Sequence, residues 1–204
     1  MCIRDRTINR ITDPSEVTDR PDTIDVLDVD AIPADLPWGE LSADAGHGAF
    51  LFIEKAVQLA MAGSIDAICT GPLNKAALHL GGHKYPGHTE MLAALAGVEE
   101  VSMMLTAPNM RVIHVTTHLG LVDAVAKIDG DRVYRTIKRG NDLLLRAGIE
   151  RPSIAVAAIN PHAGEGGLFG HGEEAEKVQP GVDRAQAEGM DLSLIHISEP
   201  TRPY

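Results

Sequence analysis

The sequence predicts an α/β fold: a largely parallel sheet with flanking helices. Three observations lead there. Short apolar or β-branched runs alternate with segments of helical periodicity, the runs are nearly continuous, and Gly, Pro, Asp and Asn punctuate the joints between them. The stretch from Thr7 to Trp38 is rich in Asp, Pro and Thr, and its alternation Ile24-Asp25-Val26-Leu27-Asp28-Val29 predicts a strand entered through turns. From Ala49 to Met61, the residues Phe50, Ile53, Ala56, Val57 and Ala60 recur at helical spacing, and Gly63 supplies a stop. Ile65–Cys69 is a short apolar run ending in Thr70-Gly71-Pro72, which predicts a strand closed by a sharp turn, with Cys69 as a small buried residue. Thr89–Ala96 fits a helix with Thr89 as its N-cap. In the second half, Val101–Leu105, Arg111–Thr116 and Ile154–Ile159 read as strands. Between the last two, Asp131–Ala147 reads as a helix through Val133, Ile137, Leu144 and Leu145, started by Asp129-Gly130-Asp131 and stopped by Gly148.

Composition narrows the function. The 204 residues, 44% hydrophobic and 23% charged, suffice for one ordinary globular domain or two small ones. Eighteen basic against 29 acidic residues give a net charge of −11, so a nucleic acid or an anionic membrane would meet a repulsive field. No stretch approaches the roughly 20 apolar residues that span a bilayer, and the N-terminus has no apolar signal core. The chain therefore reads as soluble and cytoplasmic, with neither nucleic acid nor membrane as partner. Two cysteines, Cys2 and Cys69, are too few for a disulfide scaffold or a zinc ribbon.

The two ends carry a signal of their own. With suitable codons, Leu192-Ser193-Leu194-Ile195-His196-Ile197 is encoded by the reverse complement of a sequence encoding Met1-Cys2-Ile3-Arg4-Asp5-Arg6. No protein-level cause produces such a relation, and both ends read as a translated DNA adaptor. Residues 1–6 are expected to be a non-native leader, residues 192–204 a non-native tail, and residues 7–191 the native part, which would continue beyond both cuts.

In open α/β sheets, ligands gather outside the carboxyl ends of the strands. Ile65–Cys69 delivers Thr70-Gly71-Pro72-Leu73-Asn74-Lys75, Arg111–Thr116 delivers Thr117-His118, and Ile154–Ile159 delivers Asn160-Pro161-His162-Ala163-Gly164-Glu165-Gly166-Gly167. A fourth segment, Gly87-His88-Thr89-Glu90, opens a helix. His118 and His162 admit two readings: polar residues capping separate loops, or two imidazole ligands of a divalent metal with open positions. Gly87-His88-Thr89-Glu90 is either a plain helix cap or a phosphate site built of backbone N–H groups, a hydroxyl and an imidazole. Lys75 is either a solvated lysine or a partner for phosphate or carboxylate. Gly170-His171-Gly172-Glu173-Glu174-Ala175 has the G-x-G-x-x-A form, but places two carboxylates where a pyrophosphate would sit.

Taken together, Thr70–Lys75, Gly87–Glu90, Thr116-Thr117-His118-Leu119 and Asn160–Gly167 resemble, in order, the blocks of the 4-hydroxythreonine-4-phosphate dehydrogenase family of vitamin B6 biosynthesis. The resemblance implies a fold similar to the isocitrate and isopropylmalate dehydrogenases. That fold has two α/β domains with the active site in the cleft between them, and forms a homodimer. It also implies oxidation of a secondary alcohol with NAD as cofactor, followed by loss of carbon dioxide. Residue by residue, His88 and Thr89 match the family's substrate-binding pair, and His118 and His162 match two of its three metal-ligand histidines, for Zn, Mg or Co. Asn160 and Lys75 match motif blocks without a firm role. The third histidine and most nucleotide contacts belong to segments that this chain lacks, so the expectation is a fold truncated at both ends.

The resemblance implies 4-phosphooxy-L-threonine as the small phosphorylated substrate, converted to 3-amino-2-oxopropyl phosphate. Gly87–Ala93, Val115–His118 and Gly167–Gly170 look similar to a related branch that oxidises erythronate or threonate 4-phosphate. A third expectation, of a different class, is an inactive fragment.

Overall fold

The computed structural model describes residues 6–195. Of the two adaptor-like ends, residues 1–5 and 196–204 lie outside the described residues. The chain divides into two compact units, one up to Val101 and one from Ser102.

The first unit opens with two strands, β1 (Thr7–Ile11) and β2 (Thr23–Leu27), paired in parallel from Thr7 opposite Thr23 to Ile11 opposite Leu27. The alternation read at residues 24–29 thus lies largely in β2. Helix α1 (Ala43–Met61) follows, six residues longer at its start than the periodicity predicts, because the Ser42 hydroxyl accepts from the N–H groups of Asp44 and Ala45 and so sets the start there. Helices α2 (Lys75–Leu80) and α3 (His88–Ala96) complete the unit. Its apolar centre is Val57, Ala77, Leu78 and Met91, with Leu78 and Met91 fully buried; each such side chain contributes about 1.5–3 kcal/mol.

Two predictions for this unit are corrected. Ile65–Cys69 is not a strand in the structure, and Cys69 is exposed rather than buried. A strand needs a ladder partner, and no ladder among the described residues takes this segment in. The N-cap of α3 is Gly87 and not Thr89, which stands inside the first helical turn.

Helices α1 and α2 approach at backbone distance. A Cβ placed on Gly46 would overlap the Ala77 carbonyl, and one on Gly81 would come within 2.5 Å of the His47 nitrogen. The same contact is tied by side chains. His47 Nδ1 lies 2.8 Å from His83 Nε2, and the His83 ring stacks on Phe50 at 3.7 Å between centroids. Burial, reinforced by the neighbouring His47 and opposed by Glu54, holds His83 below its ordinary pKa of 6.5.

The second unit begins with strands β3 (Met104–Ala107) and β4 (Met110–Ile113), an antiparallel hairpin closed by Pro108-Asn109. The expected strands Val101–Leu105 and Arg111–Thr116 overlap these only in part, since Val101–Met103 and His114–Thr116 are not strand, and the strand residues lie mostly exposed. Helix α4 (Leu121–Lys127) precedes α5 (Gly130–Arg146), which starts where predicted because the Asp129 carboxylate accepts from the Arg132 N–H, 2.8 Å away. Strand β5 (Ser153–Ala157) leads through a long loop to a short π-helical turn at Glu174–Val178, helix α6 (Gln179–Ala187) and strand β6 (Asp191–Ile195). β6 pairs in parallel with β5 and crosses the boundary drawn at Leu192, so Leu192–Ile195 take part in the fold. Val133, Tyr134 and Ile137 of α5 pack with Val178, Val182, Ala185 and Leu192, and the inward side chains Ile154 and Val156 of β5 lie against them.

Among the described residues the fold is therefore α/β with two of three strand pairs parallel, and the expected single sheet is replaced there by three two-stranded ladders. The antiparallel pair follows from its two-residue connection, which cannot span the crossover that parallel pairing requires. No helix among the described residues is long and apolar enough to cross a membrane.

Two outcomes follow from the α1–α2 contact. Gly46→Ala should lower unfolding free energy by about 1–3 kcal/mol, read by chemical denaturation, since a side chain there must push two backbones apart. Because the fold depresses the His83 pKa, the unfolded chain takes up the proton first as pH drops below about 6.5, and stability declines there while staying intact above. His83→Phe keeps the ring stack without the titration, so its thermal midpoint should fall less than wild type between pH 7 and pH 5; equal slopes would contradict this.

Candidate functional site

The residues singled out from sequence fall into two groups, one in each unit. In the first unit, Gly87 opens α3 with no side-chain cap, so the amides of the first turn point outward from a helix N-terminus beside a residue that has no side chain. His88 and Thr89 are the first two helical residues, both half-buried. Lys75 is brought to the same place by a separate element. The Asn74 side chain accepts from the Ala77 N–H at 3.1 Å and caps α2, fixing Lys75 as its first residue. A Cβ built on Gly87 would lie 4.0 Å from Lys75 Cε and 3.6 Å from Glu90 Oε2. Lys75 thus comes close to Gly87, the residue directly before His88 and Thr89, beside the positive end of the α3 dipole, and the Glu90 carboxylate lies nearer still. Amide donors, a hydroxyl, an imidazole and an ammonium together suit a dianionic phosphate.

In the second unit, His118 follows β4 and His162 follows β5, both exposed. Each has a left-handed backbone, with φ of 56° at His118 and 53° at His162, which is uncommon for residues other than glycine. The His162 ring lies 6.2 Å from that of Phe169, tilted by 41°. His162 begins an unusual run: His162, Ala163, Gly164, Glu165 and Gly166 are all left-handed, with φ from 41° to 77°.

Asn160, expected only as a motif residue, is the anchor of this loop. Its backbone N–H donates to Glu174 Oε1 at 2.6 Å, and its side-chain Nδ2 donates to Glu173 Oε2 at 2.9 Å and Glu174 Oε2 at 3.2 Å. Burial works against the Glu174 carboxylate, which is 7% exposed, but the Asn160 donors outweigh it and hold its pKa below the ordinary value. Glu173 is held low first by the His171 N–H, 2.7 Å away. The two carboxylates of the G-x-G-x-x-A segment are thus committed to the loop. Glu173 and Glu174 were not singled out as site residues; the available signal was a pair of acidic residues placed directly before the apolar spacing of Val178, Val182 and Ala185.

Imidazole nitrogens, here on two separate loops, fit a borderline divalent ion in donor chemistry. His118 and His162 would hold it. No group of three or more His, Cys, Asp or Glu able to hold a metal occurs among the described residues. Gly164 closes the loop against its anchor: a Cβ there would lie 3.0 Å from Glu174 Oε2 and 3.2 Å from the Phe169 carbonyl oxygen. Gly164→Ala should therefore cost about 1–3 kcal/mol in unfolding free energy, and denaturation with no loss would contradict the packing.

The chain matches the family described as pyridoxal phosphate biosynthetic protein PdxA over residues 1–199. It is 59% identical over 185 residues to the D-threonate 4-phosphate dehydrogenase of Cupriavidus necator, covering 91% of this chain and 56% of that protein. To the D-threonate 4-phosphate dehydrogenase of Bordetella bronchiseptica it is 42% identical over 180 residues, covering 88% of this chain and 51% of that one. Among solved structures it is similar to a 4-hydroxythreonine-4-phosphate dehydrogenase from Burkholderia phymatum, with a TM-score of 0.85 and 61% identity over 93% of this chain and 57% of the other. The chain spans about half the length of the curated relatives it matches.

Proposed function

The chain belongs to the pyridoxal phosphate biosynthetic protein PdxA family, and from that premise we propose that it forms part of an NAD-dependent, divalent-metal-dependent dehydrogenase acting on the secondary alcohol of a four-carbon acid phosphate. The observation that carries this reading is the approach of Lys75 to Gly87 at the uncapped N-terminus of α3, directly before His88 and Thr89. The 59% identity to a D-threonate 4-phosphate dehydrogenase supports D-threonate 4-phosphate as substrate. The second reading, 4-phosphooxy-L-threonine, is favoured by the name of the similar Burkholderia phymatum structure. The two substrates share phosphate, carboxylate and oxidisable hydroxyl, and differ in an amine or hydroxyl at C2. The assembly is proposed to be a homodimer in the cytoplasm.

In this reading, the α3 amides and the Thr89 hydroxyl donate to phosphate oxygens while Lys75 neutralises their charge. His88 donates a further hydrogen bond from its ring. Fixing the phosphate end orients the rest of a four-carbon chain and limits the positions its hydroxyl can take. His118 and His162 present ring nitrogens as ligands, and a divalent ion held there would polarise the alcohol and stabilise negative charge on oxygen while NAD accepts the hydride.

The test is NADH formation by a version extended with the flanking gene sequence, offered each phosphate with and without a divalent metal. Turnover of D-threonate 4-phosphate is expected, falling by about 100-fold or more in His118→Ala and His162→Ala. Lys75→Met should raise KM by about tenfold or more with a smaller effect on kcat. Turnover of 4-phosphooxy-L-threonine alone would select the second reading, and metal-independent turnover would overturn the metal assignment.

A further inference from the structure

The loop that carries His162 is held in a conformation its own residues disfavour. For an L-residue, the left-handed region costs about 1–2 kcal/mol, and His162, Ala163 and Glu165 occupy it together. Such a run persists only where its surroundings determine it. The determining contacts lead to one side chain. At the loop entrance, both Glu174 oxygens accept from Asn160, through its backbone N–H at 2.6 Å and its Nδ2 at 3.2 Å. At the loop centre, Gly164 packs against the same carboxylate. At the exit, Gly170 lies against Asn160 Nδ2 and Glu173 Oε2, and the Phe169 N–H returns to the Gly164 carbonyl at 3.1 Å. Glu174 itself begins the helical segment whose Val178, Val182 and Ala185 lie in the core of this unit.

We propose that Glu174 is a positioning residue for His162: its buried carboxylate pins the 160–172 loop to the hydrophobic core and thereby sets the backbone path that presents the imidazole. The proposal rests on the reading of His162 as a functional ligand. Glu174 acts only through the loop. The donor set explains why a carboxylate stands there. A single acid group accepts from both ends of Asn160, and an uncharged isostere replaces one acceptor with an N–H₂ that faces donors.

The test uses the full chain and the isosteric variant Glu174→Gln, read by amide hydrogen exchange and by the NMR signals of the His162 ring. The ring shift senses the neighbouring Phe169 ring. The expected result is exchange at the Ala163 and Phe169 amides faster by about tenfold or more, together with a moved His162 ring signal, while the amides of Val133 and Val182 keep wild-type protection. Asn160→Ala, which removes the Nδ2 bonds and leaves the backbone N–H bond to Glu174, should give a smaller change at the same positions and covers the case in which Glu174→Gln does not fold. Unchanged loop exchange in both variants would overturn the proposal, as would an equal loss of protection throughout the unit. Cobalt(II) added to the wild type separates the underlying reading from this one. Broadening of the His118 and His162 ring signals supports the ligand role, whereas its absence contradicts that role and leaves the exchange data to decide the part played by Glu174.

Discussion

A buried carboxylate accepting from both the main chain and the side chain of Asn160 governs the second unit. The Asn160–Glu174 contact joins the segment just beyond β5 to the start of the π-helical turn that leads into α6, and everything between must fit the gap it sets. Within that gap five successive residues take the left-handed region. Hydrogen bonds to a charged acceptor contribute about 1.5–3 kcal/mol each. Two of them, with the packing of Gly164, offset a backbone cost of the same order for His162, Ala163 and Glu165. Catalytic residues commonly sit on such stretches because a strained path, once fixed, leaves a side chain little freedom to wander.

The first unit reaches a comparable end by different means. Its organising feature is close backbone contact: Gly46 against the Ala77 carbonyl, and Gly81 against the His47 nitrogen. With α2 seated on α1 in this way, Lys75 at its first position reaches the turn at Gly87, and the helix that follows presents His88 and Thr89. The His47–His83 pair and the Phe50 stack hold the segment between α2 and α3 in place. The phosphate recognition proposed for this turn would depend on the small size of a few glycines as much as on charged groups.

Much of this was legible in the sequence, and the reasons are specific. Helix α5 was visible because Asp129 caps it and its apolar stripe runs through Val133 and Ile137. β5 was visible as a β-branched run between Pro152 and Asn160, and Lys75, His88 and Thr89 do sit at the starts of helices, whereas β4 and β5 end at Ile113 and Ala157, further before His118 and His162 than expected. Ile65–Cys69 misled because apolar character marks a candidate strand but cannot supply the partner that makes one. Thr89 misled as a cap because Gly87, with no side chain to signal its role, occupies that position. Helices α2 and α6 carried too few periodic positions to stand out. Glu174 stayed hidden because a charged residue reads as solvent-exposed until its donors, 14 residues earlier in the chain, are placed against it.

The loop after β5 follows a left-handed path fixed from outside itself, and Ala163→Gly in the full chain is the variant that decides whether it does. Ala163 has φ of 50°. Glycine relieves the left-handed cost of about 1–2 kcal/mol but adds about 0.5–1 kcal/mol of entropy to the unfolded chain. Chemical denaturation should therefore show the variant more stable than wild type, by up to about 1 kcal/mol. A less stable variant would mean that Ala163 rests in an ordinary right-handed or extended conformation, and the strained presentation of His162 would have to be abandoned.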